Sequence, residues 1–389
     1  MSRLSRFTSY RHDGAILPNA TQRVWFGFLM LAAALLPLFL VTLTDGRSWL
    51  ILFATAFVAA IGAIGLNIIT GFAGQVSLGH AFFIGVGAYT ATALGGAETL
   101  GADGSIELIG LELGMVIWVP AAGLVAALAG VIVAPIAFRL EGLYLALVTL
   151  GLVFVGEHIF RNWSQLTGGI GRGRESAQLS VLGYRFDLDS QVLGFNIIRE
   201  QQIYWVMLVI LVVMAVLAKN LVRSKAGRAF AAIRDRGVAA ELTGVDQTKY
   251  KTLAFAISSF YAGITGALLF TVTGFIEPSS FNLLLSIAYI AMVVIGGLAS
   301  IAGSIMGALF ITLLPKLIDL TFLPDLFDLI IGWIPWIDAE SGAPPLSSSQ
   351  IERVLFGVMI IAFLILEPLG LYGVWIRIRN FWKAFPFSY

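Results

Sequence analysis

QIYWVMLVILVVMAVLA at 202–218, KNLVRSKAGRAFAAIRDRGVAAELTGVDQTKYK at 219–251 and TLAFAISSFYAGITGALLFTV at 252–272 form one unbroken stretch of the chain. The outer two segments are apolar and long enough for membrane spans. The middle one carries eight Lys or Arg against three acids. Short positive loops between spans stay on the cytosolic side, because moving Lys and Arg across the bilayer is disfavoured. The stretch therefore reads as two spans joined by a basic module offered to the cytosol.

The composition of the remaining chain agrees. Of 389 residues, 58% are hydrophobic and only 12% charged, far from the norm of a soluble domain. Apolar runs recur along nearly the whole length and leave no room for a separate aqueous core. The expected fold is all-α, a polytopic membrane helical bundle of about ten spans. They lie near 24–43, 50–69, 79–94, 113–138, 143–160, 202–218, 252–272, 283–297, 299–315 and 354–371. The runs at 79–94 and 283–297 are short, and the Gly296-Gly297 pair makes 283–315 readable as a broken or re-entrant hairpin. The alternative count is eight full spans plus such a pair. Arg3, Arg6, Arg11 and Arg23 before the first apolar run resemble an export signal, but the length of that run and the spans after it favour a first anchor.

Loop charges give the orientation. The tail at 1–23 has four Arg and one Asp, and the tail at 372–389 has three basic residues and no acid, so both ends are expected in the cytoplasm. Residues 24–371 then form one transmembrane domain, with the basic loop at 219–251 in the cytoplasm. External loops fall at 95–112, with four acids and no base, at 161–201, and at 316–352, with six acids and one Lys. The 161–201 loop is nearly balanced. It opens with LTGGIGRGR, and YRFDLD at 184–189 suits a small strand. Gly, Pro and Ser in IPWIDAESGAPPLSSS at 334–349 favour irregular backbone.

Absence of cysteine removes disulfides, thiolate metal sites and cysteine nucleophiles, and three scattered His make no metal cluster. No catalytic residues and no metal are expected. GLNIITGFAGQVSLGHAFFIGVGAYTATALGG at 65–96 sets Asn67, Gln75, Ser77 and His80 among many glycines. That pattern fits a broken helix lining a solute path, or close helix packing with an interfacial turn. In FRLEGLYLALVTLGLVFVGEHIF at 138–160, Arg139 and Glu141 mark an inward turn. Glu157 and His158 sit near the outward end, where a surface ion pair is more ordinary than a proton relay. Glu367 is likewise a boundary residue. With no carboxylate at mid-membrane, an ion-coupled carrier lacks an evident coupling group and a membrane enzyme lacks an ionisable cluster. Within the basic module, 229–233 and 238–242 read as two short amphipathic helices joined at Arg234-Asp235-Arg236-Gly237. Their small Ala-rich faces suit a partner's cleft, the alternative being arginines anchored on anionic lipid.

Four stretches carry a more specific signal: TGFAGQVSLGHAFFIGVGAYTAT at 70–92, RLEGLYLALVTL at 139–150, RSKAGRAFAAIRDRGVAAELTGVDQTKYKTLAFAISSFYAGITGAL at 223–268, and IGGLASIAGSIMGALFITLLP at 295–315. In content and order the chain resembles the M-type permease subunits of bacterial branched-chain amino acid ABC importers, and is similar to the urea and short-chain amide permeases. The resemblance implies an ATP-driven importer subunit of the bacterial inner membrane. Its implied partners are an H-type permease, two cytosolic ATPase subunits and an extracytoplasmic substrate-binding protein, with lipid around it and no nucleic acid. No cofactor is expected on this chain. ATP and Mg belong to the ATPase subunits, in keeping with the lack of a GxxxxGK[ST] string here. The resemblance further places Arg223, Arg228, Arg234, Glu241 and Gly244 in ATPase coupling, with Glu241 and Gly244 seated in the ATPase groove. Ala229, Ala232, Ala239 and Ala240 match the same region. IRDRG at 233–237 is less acidic than the family's version, and LTGGIGRGR follows the family's Thr-Gly-Gly loop only in part. Gly71, Gly74, Gln75, Ser77, Thr149 and Asn282 are the candidate translocation-path residues.

Overall fold

The computed structural model describes residues 20–42, 45–100, 106–137, 140, 142–169, 171, 173–181, 183–186, 188–192, 195–320, 357–358, 361, 365, 367 and 370–384. In chain order the helices are α1 (Ala20–Leu40), α2 (Gly46–Asn67), α3 (His80–Gly95), α4 (Met115–Ala137), α5 (Leu143–Asn162), α6 (Arg199–Arg223), α7 (Lys225–Leu242), α8 (Gln247–Thr273), α9 (Leu283–Gly296), α10 (Ile301–Leu320) and α11 (Gly370–Ala384). A π turn over Ile68–Phe72 extends α2. Among the described residues, six helices are long and apolar enough to cross a membrane: α1, α2, α4, α5, α6 and α8. The protein is an all-α polytopic bundle. The expected spans at 79–94 and 283–297 are shorter helices of 16 and 14 residues, below the roughly 20 a bilayer core requires. The inward turn at Arg139 and Glu141, most of the 316–352 loop and most of the 354–371 span lie outside the described residues. The expected loop boundary at 316 falls inside α10, and 370–384 is helical.

Helix α2 is the axis of the bundle, with every residue from Ala56 to Asn67 buried. Lipid offers no hydrophobic drive between helices, so packing depends on close approach. Small residues supply it: a Cβ on Gly87 of α3 would meet the carbonyl oxygen of Gly263 on α8 at 2.1 Å. α1 is tied on by polar groups. Pro37 has no N–H for the carbonyl of Ala33, one turn earlier, and the Tyr204 hydroxyl of α6 donates to that carbonyl at 2.9 Å. Trp205 Nε1 donates to Ala34 O at 2.9 Å and Gln201 Nε2 to Pro37 O at 3.3 Å.

The two ends of the bundle differ. One carries short antiparallel strand pairs: β1 (Thr99–Leu100) with β2 (Ile106–Leu108), β4 (Ser180–Val181) with β5 (Tyr184–Arg185), and β6 (Ser190–Val192) with β7 (Phe195–Ile197). There too β3 (Arg174–Glu175) pairs with β8 (Phe275–Ile276), fastening the segment after α5 to the end of α8. The strand expected at 184–189 is thus a two-residue arm of a hairpin. Arg174 is buried, donating to the carbonyls of Thr92 at 2.7 Å, Leu166 at 3.0 Å and Ile109. Burial lowers its pKa from the ordinary guanidinium value, and three carbonyls replace the water it loses. Glu157 pairs with Arg161 at 2.5 Å, the surface ion pair its position suggested. The opposite end carries α7.

Candidate functional site

The stretch between α2 and α3 is where helix geometry fails. The π turn at Ile68–Phe72 gives way to irregular backbone over 73–79 before His80 starts α3. Each polar group exposed by the break needs a partner, since lipid provides none. Thr149 of α5 meets one, its Oγ1 accepting from Leu78 N–H at 2.9 Å while donating to the Leu145 and Ala146 carbonyls. Ser286 of α9 meets another, accepting from Ala81 N–H at 3.0 Å. Ser77 Oγ accepts from Gly79 N–H at 3.3 Å.

A second break joins α9 to α10 through residues 297–300, and Asn67 locks it to the first. Its Nδ2 donates to Ser304 Oγ at 2.7 Å and to Ser300 O at 3.0 Å, with a longer contact to Gly297 O at 3.4 Å. Its Oδ1 accepts from Ala299 N–H at 2.9 Å, where Ala299 takes a left-handed φ of 57°. Gly71 has no room for a side chain here: a Cβ would lie 1.9 Å from Asn67 Oδ1 and 2.5 Å from Ala299 N. The 283–315 stretch, expected as two spans or alternatively as a broken hairpin, is a pair of helices whose joint is bonded to Asn67.

Helix α7 reaches this point from outside. Ser224 caps it, accepting from Ala226 N–H at 3.1 Å, and Arg228 returns Nη1 to Arg223 O at 3.1 Å. At Arg236 the backbone leaves the helix (φ −157°, ψ 93°), so the joint falls one residue before the expected glycine. Gly244 ends the helix at φ +86°, a left-handed turn glycine adopts without penalty. Asp246 then caps α8 by accepting from Lys249 N–H. Arg234, just before the kink, donates from Nη1 to Gly71 O at 3.1 Å and pairs with Asp235 at 3.0 Å. Its aliphatic stem lies on Gly74, whose φ is +70° and whose added Cβ would sit 2.7 Å from Arg234 Cγ.

A cavity of about 330 Å3 opens between α7 and the first break, lined by Gln75, Arg234, Asp235, Arg236 and Lys251 with apolar neighbours. Gln75 is buried, and neither amide atom of its side chain has a hydrogen-bond partner among the described residues. The structure therefore brings Gly71, Gly74, Gln75, Ser77 and Thr149 together, and joins them to Arg234. Asn282 is committed elsewhere: it caps α9, accepting from Leu285 N–H and donating to Ser279 O. Glu241 is exposed and accepts from Gln247 Nε2 at 3.3 Å. Sequence reasoning missed Ser286, Ser300 and Ser304. Their one signal was a polar residue in otherwise apolar or small-residue runs, which names no partner.

A helical membrane bundle with two interlocked breaks and a basic helix gripping one of them has the class of architecture a membrane permease can use. The family described as the branched-chain amino acid transport system / permease component matches residues 48–364, and the chain belongs to it. The high-affinity branched-chain amino acid transport system permease protein LivM of Salmonella typhimurium is 28% identical over 309 residues, covering 74% of this chain and 68% of the relative. The LivM protein of Escherichia coli strain K12 matches to the same extent. No solved structure matches the chain. The protein is a non-catalytic permease component, multi-pass in the bacterial inner membrane. Membership implies the general architecture of ABC systems, which unite a permease, an ATPase and a substrate-binding protein.

Proposed function

We infer that this chain translocates branched-chain or related amino acids inward by alternating access, driven by two ATPase subunits that grip α7. An H-type permease completes the path and an extracytoplasmic binding protein delivers the solute. The orientation is ten crossings with both tails inside, α3 and the α9/α10 pair being the short crossings and 354–371 the last. Residues 95–112, 161–201 and 316–352 then face outward, and α7 faces the cytosol.

The observation that carries this reading is the hydrogen bond from Arg234 to Gly71 O. It joins the helix available to a motor directly to the break beside the path, so a displacement of α7 moves the backbone at 71–75. Exposed apolar side chains on the second segment of α7, Val238 at 75% and Leu242 at 86%, support docking into a protein cleft. Arg223, Arg228, Glu241 and Gly244 flank that surface. A site whose affinity resides mainly in a binding protein leaves the path free to be lined by small and apolar groups.

The test is substrate-stimulated ATP hydrolysis by the reconstituted complex, intact and with Glu241→Ala. Leucine, isoleucine and valine are compared with urea and short amides, each with its candidate binding protein. Stimulation by branched-chain amino acids, lost in the variant, is the expected result. Stimulation by urea alone overturns the substrate reading, and full activity in a correctly assembled variant removes Glu241 from coupling.

A further inference from the structure

Helix α11 (Gly370–Ala384) takes no part in the site described above, yet its sequence is patterned. Leu371, Val374, Trp375, Ile378 and Phe381 recur at helical spacing and share one face. Arg377, Arg379 and Lys383 are its charged residues, and it holds no acid. With 15 residues and three cations it cannot cross a bilayer core, which takes about 20 apolar residues.

The root of the helix is fixed. Gly370 takes a left-handed φ of 64° and donates its N–H to Glu367 O at 2.8 Å, a turn that sets α11 apart from the residues before it. A Cβ on Gly370 would lie 2.6 Å from Ile295 O and 2.8 Å from Gly297 N, so α11 starts in direct contact with the second break. Gly370 and Gly373 are buried and Leu371 packs on the core, where α11 meets α9 and α10. Beyond this root the helix is uncovered: Trp375, Ile378 and Phe381 are exposed, as are Arg377 and Arg379. Glu367 holds Arg377. Arg379 makes no hydrogen bond or ion pair among the described residues.

A bulky apolar face with cations beside it, on a short helix rooted at a helix joint, has the chemistry of a membrane surface. Acyl chains suit Ile378 and Phe381, tryptophan favours the headgroup level, and a free guanidinium suits an anionic headgroup. The small Ala-rich faces of α7 suit a protein cleft, and this face does not share that character. We propose that α11 lies in the plane of the membrane, with its apolar face among acyl chains and Arg379 on the phosphate of an anionic phospholipid. Because α11 starts on Gly296 and Gly297, the lipid surface braces from outside the joint that Asn67 clamps from inside. The leaflet rests on the orientation proposed above, which puts the C-terminal tail in the cytosol.

The chain has no cysteine, so single ones can be placed for spin labels. The complete permease and ATPase complex, with cysteine-free partner subunits, is studied in nanodiscs of phosphatidylcholine and phosphatidylglycerol in equal parts. Labels go on Ile378→Cys, on the apolar face, and on Asn380→Cys, on the opposite side. Oxygen should reach the label at 378 and a water-soluble nickel chelate the label at 380. The chelate reaching both overturns the proposal, since α11 would then stand in water. Shielding of both labels from both reagents overturns it as well and marks a protein as the occupant.

The headgroup is tested by quenching a bimane label at 378 with dibrominated phosphatidylglycerol or dibrominated phosphatidylcholine, each at the same fraction of the same mixed bilayer. Phosphatidylglycerol should quench more strongly. Arg379→Gln should cut that preference by up to about fivefold, the scale of one charge at an anionic surface, and Arg379→Lys should keep it. Equal quenching by the two lipids, or a preference unchanged in Arg379→Gln, overturns the anionic contact. A membrane-impermeant maleimide on Asn380→Cys reads the leaflet. Reaction in inverted vesicles alone supports the cytosolic side, and reaction in right-side-out vesicles alone overturns the orientation while the in-plane helix stands.

Discussion

Asn67 and Gln75 are buried amides on opposite sides of the same π turn, and they are treated in opposite ways. Asn67 uses both amide atoms, donating toward 297–304 and accepting from Ala299. Gln75 uses neither among the described residues. A bonded amide at membrane depth fastens backbone that would otherwise be unsatisfied. A buried amide without a partner costs about 1–3 kcal/mol, and a native protein carries such a group where something else employs it. The Asn67 side is the anchored part of the break, and the Gln75 side, against α7 and its cavity, is the part on which the proposed coupling would act.

The strongest challenge to this contrast is Asn67→Ala. At about 0.6–1.7 kcal/mol for each polar contact between membrane helices, loss of the clamp should destabilise the bundle by roughly 2–5 kcal/mol. Thermal unfolding of the detergent-solubilised complex checks it, and an unshifted midpoint would mean the two breaks are not held together by this residue.

Arg234→Ala comes next and acts on function. A hydrogen bond from a charged donor is worth about 1.5–3 kcal/mol, so substrate stimulation of ATP hydrolysis should drop about tenfold while assembly survives. Retained stimulation would show that α7 drives the break by another route.

Thr149→Val sharpens the boundary between the two sides, because Thr149 holds Leu78 just beyond Gln75. The expected loss is about 1 kcal/mol, read as a small drop in the unfolding midpoint and faster amide exchange near Leu78.

Gln75→Leu should have the smallest effect on stability, neutral or slightly favourable, since the group removed makes no hydrogen bond among the described residues. Its consequence should appear in transport kinetics. A destabilisation as large as that of Asn67→Ala would erase the contrast.

Membrane class, helix positions and the basic module were set by the sequence alone. Apolar length is a local property and Lys and Arg resist crossing lipid, so 202–218, 219–251 and 252–272 announced two helices and the module between them. The glycine and amide pattern at 65–96 left a broken helix and close packing with an interfacial turn both open, and the Gly296-Gly297 pair left two spans and a broken hairpin both open. Only tertiary structure decided what these do. That Asn67 meets 297–304, more than two hundred residues away, depends on how α2, α9 and α10 pack, which no periodicity records. The kink at Arg236 and the grip of Arg234 on Gly71 depend on the cost of bare carbonyls at a broken helix, met by whichever donor the fold delivers. Gln75 looked in sequence like its neighbour Asn67, and among the described residues the fold supplied hydrogen-bond partners to Asn67 alone of the two. Hydrogen-bond satisfaction is a property of three-dimensional proximity, whereas the need for it can be read along the chain.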